Sequence, residues 1–296
     1  MPTALVTGGS GFIGGLLASK LRDSGYDVTI ADGRPLGGAD FRYVRCDVRD
    51  ISQVMEAAKG QETIYHLAGV LGTDYLLEGN LGRVEDCLDV NVKGALHIYE
   101  AARMQGSRVV TAGLVPSWAN PYMITKKAAT QFGQMYFHEY GTDIRTLEFT
   151  HVYGPGQKER PVRKAIPNFI VSALKGEPVV VFGAGDKYMD CIYVDDAVEA
   201  LRIAGEHDQM KGMVAQMGTG QGITVLDLAH KIIEMTSSQS SVVFEPMRPG
   251  EPRDRQGFVA ANLFVWNQYT PWTPTTTLED GLQKTIAWHR QRLDAE

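Results

Sequence analysis

Tyr122 and Lys126 stand four residues apart in Pro121-Tyr122-Met123-Ile124-Thr125-Lys126, so on a helix both side chains share one face. An ammonium beside a phenol favours the phenolate and pulls its pKa down from about 10. A tyrosine tuned in this way is an acid/base for a hydroxyl group near neutral pH. This is the only Tyr-x-x-x-Lys in the chain. A second group of residues speaks to an anion. Leu5-Val6-Thr7-Gly8-Gly9-Ser10-Gly11-Phe12-Ile13-Gly14 runs from an apolar β-type segment into a helical one, with glycines at 8, 11 and 14. Such a loop turns tightly, lets backbone approach a pyrophosphate, and aims the N–H groups of the following helix start, Phe12 and Ile13 among them, at that anion. The third group is Asp32, 18 residues after Gly14, at the end of the next β-type run. A carboxylate there accepts both ribose hydroxyls of an adenosine and repels a 2′-phosphate, which argues for NAD over NADP. Arg34 is the counterweight, because an arginine in this place can accommodate that phosphate.

These residues need a scaffold, and the first half of the chain supplies its pattern. Strands are expected at Thr3–Thr7, Asp27–Ala31, Arg42–Cys46, Thr63–Leu67, Arg108–Thr111 and Ile144–Phe149. Helices are expected at Phe12–Ser24, Ile51–Ala58, Arg83–Met104 and Tyr122–Tyr140. Strand–helix alternation of this kind predicts an α/β fold of the Rossmann type, a doubly wound parallel sheet with helices on both faces. Beyond Gly154 prolines punctuate shorter elements, with helices at Ile166–Lys175, Asp195–Ala204, Thr224–Thr236 and Leu278–Arg292. The expected division is a dinucleotide-binding domain over residues 1–160 and a smaller α/β substrate lobe over 161–296, interleaved with the last sheet strands. The two should close over the carboxyl ends of the strands, where open α/β sheets bind ligands.

With 296 residues, 44% hydrophobic and 22% charged, the composition is that of a globular protein. A net charge of −6 argues against a nucleic-acid surface. No apolar run reaches the roughly 20 residues of a membrane span, and the first strand begins too early to leave room for a signal peptide. Cys46, Cys87 and Cys191 are odd in number and far apart, with neither metal nor disulfide spacing. No metal site is expected, and a reducing, cytoplasmic location follows.

Taken in order, these segments resemble the extended short-chain dehydrogenase/reductases, specifically the NAD-dependent nucleotide-sugar epimerase/dehydratase family. Further segments carry the resemblance: Cys46-Asp47-Val48-Arg49-Asp50, Tyr65-His66-Leu67-Ala68-Gly69, Asn91-Val92-Lys93-Gly94, Val152-Tyr153-Gly154-Pro155-Gly156, Ile192-Tyr193-Val194-Asp195-Asp196 and Arg248-Pro249-Gly250-Glu251. The resemblance implies that Asp47, with Val48, meets the adenine, that Leu67, Ala68, Gly69 and Asn91 lie along the NAD, and that Lys126 holds the nicotinamide ribose. On the substrate side it implies a nucleotide-diphosphate sugar touched by His151, Arg163, Arg248 and Glu251. It also implies a homodimer built on the helices around Arg83–Met104 and Tyr122–Tyr140.

The chain departs from the family pattern in three places. The hydroxyl that binds the reacting sugar oxygen falls on Gly113, beside Ala112, which leaves Thr111, or Ser117 after a loop, as the candidate donor. Only Leu114 to Pro121 separate this strand from the Tyr-Lys helix, a short substrate loop, and Leu71–Leu81 is a candidate lid. Met189 stands where the family often has a phosphate-gripping arginine. The expected activity is a C4 epimerisation through a transient ketone, with Tyr122, Lys126 and Thr111 as the catalytic set. A dehydratase, decarboxylase or reductase, or a nucleotide-binding sensor without catalysis, are the alternatives. The family's 4,6-dehydratases carry Asp-Glu after the strand threonine, where this chain has Ala112-Gly113.

Overall fold

In the computed structural model the described residues are 1–35, 41–71, 81–117, 119–160, 163–247 and 260–295, with 81–83 described by backbone alone. The first half alternates strands and helices: β1 (Thr3–Thr7), α1 (Phe12–Asp23), β2 (Asp27–Asp32), β3 (Arg42–Arg45), α2 (Ile51–Ala57), β4 (Thr63–His66), α3 (Leu81–Cys87), a π-helical turn (Leu88–Lys93), α4 (Gly94–Gln105), β5 (Arg108–Leu114), α5 (Pro121–Tyr140) and β6 (Ile144–Phe149). The second half holds β7 (His151–Tyr153), α6 (Ala165–Lys175), β8 (Val179–Phe182), β9 (Tyr188–Met189), β10 (Cys191–Tyr193), α7 (Val194–Glu206), β11 (Val214–Met217), β12 (Ile223–Thr224), α8 (Val225–Met235), β13 (Val242–Glu245) and α9 (Leu278–Ala295).

Seven strands form one sheet in the order β3-β2-β1-β4-β5-β6-β11, each parallel to its neighbours. Both faces are covered, which is why strands such as Ala4-Leu5-Val6 read as unbroken apolar runs. Successive side chains alternate between two cores. Val6, Ile30, Val110 and Leu147 pack on one side with α1 and α7, while Leu5, Ile64, Val109 and Ile144 pack on the other with α2, α4 and α5. α1 buries Gly14, Leu17, Ala18 and Leu21, the i, i+3, i+4, i+7 stripe of a surface helix. α5 starts where Asn120 accepts a hydrogen bond from the Met123 N–H at 2.8 Å and Pro121 takes the first position. A third core under α6, α8 and α9 gathers Ile170, Val181, Leu228, Ile232 and Leu282 with Tyr153 and Tyr193. β11, from the second half of the chain, lies at the edge of the main sheet beside β6.

Two elements differ from the sequence-based expectation. The helix expected over Arg83–Met104 is interrupted by the π-helical turn. That turn draws Asn91 inward, to 2% exposure, where its amide spans Val70 and Thr125. It also brings Gly94 against Val48, where a Cβ would lie 2.7 Å from Val48 Cγ2. β5 runs three residues past Thr111 because β6 stays in register with it to Leu114.

Asp190, fully buried, fastens the second half. Its carboxylate accepts hydrogen bonds from the Thr219 N–H (2.8 Å), the Thr219 hydroxyl (2.7 Å), the Gly220 N–H (3.0 Å) and the Ala261 N–H (3.0 Å). Asp190→Ala strands these donors, each at about 1–3 kcal/mol. Urea unfolding of that variant is expected to show a loss of about 3 kcal/mol or more, and a loss below about 1 kcal/mol would show that the cluster is not needed.

Candidate active site

The order of strands reverses between β1 and β4, and the glycine loop lies at that switch point. Gly8 has φ +72, and a Cβ there would sit 2.6 Å from the Ala68 nitrogen. A Cβ on Gly14 would overlap the Gly8 carbonyl, which accepts the Gly11 N–H at 3.0 Å. The loop is therefore folded on itself and against the end of β4, with the first N–H groups of α1 left to face a ligand. Leu67 and Ala68 run alongside: the Leu67 N–H bonds the Thr7 carbonyl at 3.1 Å and the Ala68 N–H reaches the Thr7 hydroxyl at 3.4 Å. Gly69 lies beside Asn91, 3.2 Å from a would-be Cβ to its side-chain oxygen.

At the end of β2 Asp32 is 8% exposed. One carboxylate oxygen accepts the Ser10 N–H at 3.0 Å, and the other accepts the Arg34 N–H at 2.9 Å with Arg34 Nε at 3.8 Å. Each oxygen keeps a lone pair, so the group fits a ribose diol. Asp47 is gripped by Arg49 through Nε (3.0 Å) and a terminal nitrogen (2.7 Å), and that hydrogen-bonded guanidinium holds its carboxyl below the usual range. Val48 is buried, and its carbonyl lies 2.8 Å from His97 Nδ1. The glycine loop, Asp32 and the Asp47–Val48 segment thus stand side by side at the carboxyl ends of the adjacent strands β1, β2 and β3.

Tyr122 and Lys126 open α5 at the same end of the sheet. Lys126 is only 8% exposed, and its ammonium makes no hydrogen bond or ion pair with another described residue. Burial pulls its pKa down to about 8. The Tyr122 hydroxyl likewise has no described partner. Burial, with Cys87 nearby, raises the phenol above its ordinary value, against the lowering expected from an ammonium together with a positive nicotinamide. Desolvation penalises the charged phenolate. Asn91 supports the pair from behind, donating to the Thr125 hydroxyl at 3.1 Å while that hydroxyl contacts the carbonyls of Pro121 and Tyr122.

Thr111 is placed differently from its expected catalytic role. It is 4% exposed and its hydroxyl donates to the His66 carbonyl on β4 at 3.3 Å. Ser117 is exposed. His66, which sequence reasoning passed over, is central: its Nδ1 meets the Thr7 hydroxyl at 2.8 Å, and burial and Lys126 push its pKa down to about 3, so the ring is neutral. Its signal was visible as a polar residue closing an otherwise apolar strand. Of the residues expected to touch a substrate, exposed His151 begins β7 with Nδ1 3.3 Å from the Asp190 carbonyl, and exposed Arg163 precedes α6 by two residues. Met189 pairs with Ile223 in the small β9–β12 ladder. Arg248, Glu251 and most of the 71–81 stretch lie outside the described residues. No group of three or more metal-ligating side chains occurs among the described residues, and none of their helices is long and apolar enough to cross a membrane.

Comparison with known proteins agrees with this geometry. The model of the NAD dependent epimerase/dehydratase family matches residues 4–117 and 114–218. A UDP-N-acetyl-alpha-D-glucosaminuronate decarboxylase of Bacillus cytotoxicus is 25% identical, with 97% of each chain covered. The UDP-glucose 4-epimerase of Thermotoga maritima, solved with UDP-glucose, superposes with a TM-score of 0.88 at 26% identity, covering 98% of this chain and 99% of the other. The Thermus thermophilus UDP-glucose 4-epimerase, solved with NAD, gives a TM-score of 0.83 at 26% identity, covering 97% and 99%.

Thr111→Val keeps the side-chain shape and removes one buried hydrogen bond, so it is expected to cost about 1 kcal/mol of stability. Turnover of that variant on its best substrate should stay within about twofold of wild type if the hydroxyl serves only this bond, and a fall of about 10²-fold would return Thr111 to the reacting oxygen.

Proposed function

This chain belongs to the NAD dependent epimerase/dehydratase family, and from that premise we propose that it epimerises a nucleotide-diphosphate hexose at C4. The observation that carries the proposal is Lys126: a buried ammonium with no hydrogen-bond or ion-pair partner among the described residues, one helical turn from Tyr122 on the helix that follows β5. The glycine loop takes the pyrophosphate, and Asp32 takes the adenosine ribose. Bound NAD supplies a hydride acceptor and a positive charge beside Tyr122. Lys126 holds the nicotinamide ribose and favours the phenolate of Tyr122, offsetting the burial that raises it in the ligand-free chain. Tyr122 then accepts the proton of the sugar C4 hydroxyl, and returns it after the ketone has turned its other face. His151 and Arg163 are the described residues assigned to the substrate, with Arg248 and Glu251 assigned to its diphosphate and ribose.

A decarboxylase shares the first oxidation, and the Bacillus relative makes it the second reading. Turnover across a panel of nucleotide-diphosphate hexoses and hexuronates separates the two by product. On the active substrate Tyr122→Phe is expected to lower turnover by about 10²-fold or more while NAD affinity holds. A wild-type chain inert on the whole panel would favour a nucleotide-binding protein without catalysis.

The homodimer is proposed on α4, α5 and the π-helical turn. Leu88 (50%), Met104 (59%), Ile124 (56%), Phe132 (38%) and Tyr140 (57%) leave an apolar surface exposed there. Light scattering at micromolar concentration should report twice the 32.5 kDa chain mass. A monomer would overturn this assembly.

A further inference from the structure

The turn that follows β2 is tied down from two sides. On one side is the glycine loop: the Ser10 N–H donates to the Asp32 carboxylate at 3.0 Å, and the Ser10 hydroxyl donates to the Arg34 carbonyl at 3.2 Å. On the other side is β3. The Tyr43 hydroxyl lies 2.9 Å from the Asp32 carbonyl and 3.0 Å from the Arg34 carbonyl. It has a single proton, which the two carbonyls share in a three-centre bond. Within the turn, the Arg34 N–H donates to the second carboxylate oxygen of Asp32 at 2.9 Å.

Packing does not hold this turn. Gly33 and Arg34 are exposed, and a Cβ on Gly33 would meet only the Cys46 carbonyl, at 3.9 Å. The β2–β3 ladder stops at the Asp32 carbonyl, which takes the Cys46 N–H at 3.0 Å. Beyond it, among the described residues, the Arg34 carbonyl is held by side chains alone, those of Ser10 and Tyr43. Tyr43 is a firm anchor. It pairs with Ile30 across the two strands, and its half-buried side chain packs against the core under α1 while the hydroxyl reaches the turn. What the turn carries is a choice between two charges. The Asp32 carboxylate suits a ribose diol and repels a 2′-phosphate, whereas Arg34, with Nε 3.8 Å from that carboxylate, is the group that a 2′-phosphate would seek.

We infer that Tyr43 is a positioning residue that sets the dinucleotide preference: its hydroxyl locks the Asp32–Arg34 turn, so that the carboxylate meets the adenosine ribose and Arg34 stays beside it. The inference rests on the proposed role of Asp32 as the ribose partner. With the lock in place both carboxylate oxygens keep their direction, and an unphosphorylated ribose finds its acceptors already aligned. Without it the turn is free to move about Gly33. The carboxylate then swings off the diol, and the guanidinium leaves it for a 2′-phosphate. Tyr43 thus acts on the ligand through Asp32 and touches neither the ribose nor the reacting atoms.

The test titrates NAD and NADP calorimetrically into the full chain and into three variants: Tyr43→Phe, Asp32→Ala and the two combined. Tyr43→Phe keeps the ring and removes the hydroxyl. It should weaken NAD by about fivefold, the size of one lost hydrogen bond, while NADP affinity holds or improves. Asp32→Ala should weaken NAD by about tenfold or more, since it removes a charged acceptor. In that background Tyr43→Phe should change NAD affinity by less than about twofold, because the group it positions is gone. The inference is overturned if Tyr43→Phe alone leaves NAD affinity within about twofold of wild type. It is equally overturned if Tyr43→Phe weakens NAD and NADP alike, or costs as much with Ala at position 32 as with Asp, since Tyr43 would then serve the fold as a whole. If Asp32→Ala binds NAD as well as wild type, the proposed role of Asp32 fails and takes this inference with it. A failure confined to Tyr43→Phe leaves that role standing.

Discussion

The structure turns on a backbone contact at the centre of the sheet. Gly8 leaves β1 with a positive φ and passes so close to Ala68 that no side chain fits between them. That approach brings the end of β4 against the loop that starts α1, and it creates the crevice on either side of the switch point. Polar side chains fix it laterally. Thr7 on β1 meets the His66 ring on β4, and Thr111 on β5 bonds the His66 carbonyl, so three neighbouring strand ends are stitched together just below the ligand surface. Every group assigned to the dinucleotide is placed relative to this seam.

The helix that carries Tyr122 and Lys126, α5, is fixed to the seam indirectly. The π-helical turn between α3 and α4 adds residues to one turn and so rotates Asn91 under the chain at Val70 and against Thr125. Thr125 lies between Tyr122 and Lys126, so one buried amide sets both the β4 exit and the start of α5. The same burial creates the electrostatic tension of the site. Lys126 loses part of its basicity and the Tyr122 phenol loses acidity, because neither charged form is well solvated there. A cationic ring bound beside Tyr122 would favour the phenolate, so the proposed proton abstraction would depend on cofactor occupancy.

The second half of the chain is held by buried carboxylates. Asp190 collects the turn after β11 and the backbone at Ala261, and Asp196 at the start of α7 collects Thr275 and Thr276 ahead of α9. Both belong to the run from Asp190 to Asp196, so one short segment organises the packing of elements far apart in sequence. β11 returns from there to the main sheet, which explains why no linker composition marks a boundary.

Local spacing was enough to find the glycine loop, Asp32, the Tyr122–Lys126 pair and the alternation that gives the parallel sheet, because each depends on neighbours within a few residues. Helix periodicity likewise placed α1, α5 and α8 within a residue or two. What the sequence left open depends on partners distant along the chain. Thr111 read as a spare hydroxyl until β4 supplied its acceptor. Gly113 read only as a lost side chain until β6 brought Thr146 and Glu148 beside it. The π-helical turn has no local signature, because it is stabilised by Val70 and Thr125 rather than by its own sequence. Ionisation was the least legible property of all: charge spacing predicts attraction between Tyr122 and Lys126, but desolvation is set by everything packed around them, and only the tertiary structure decides that.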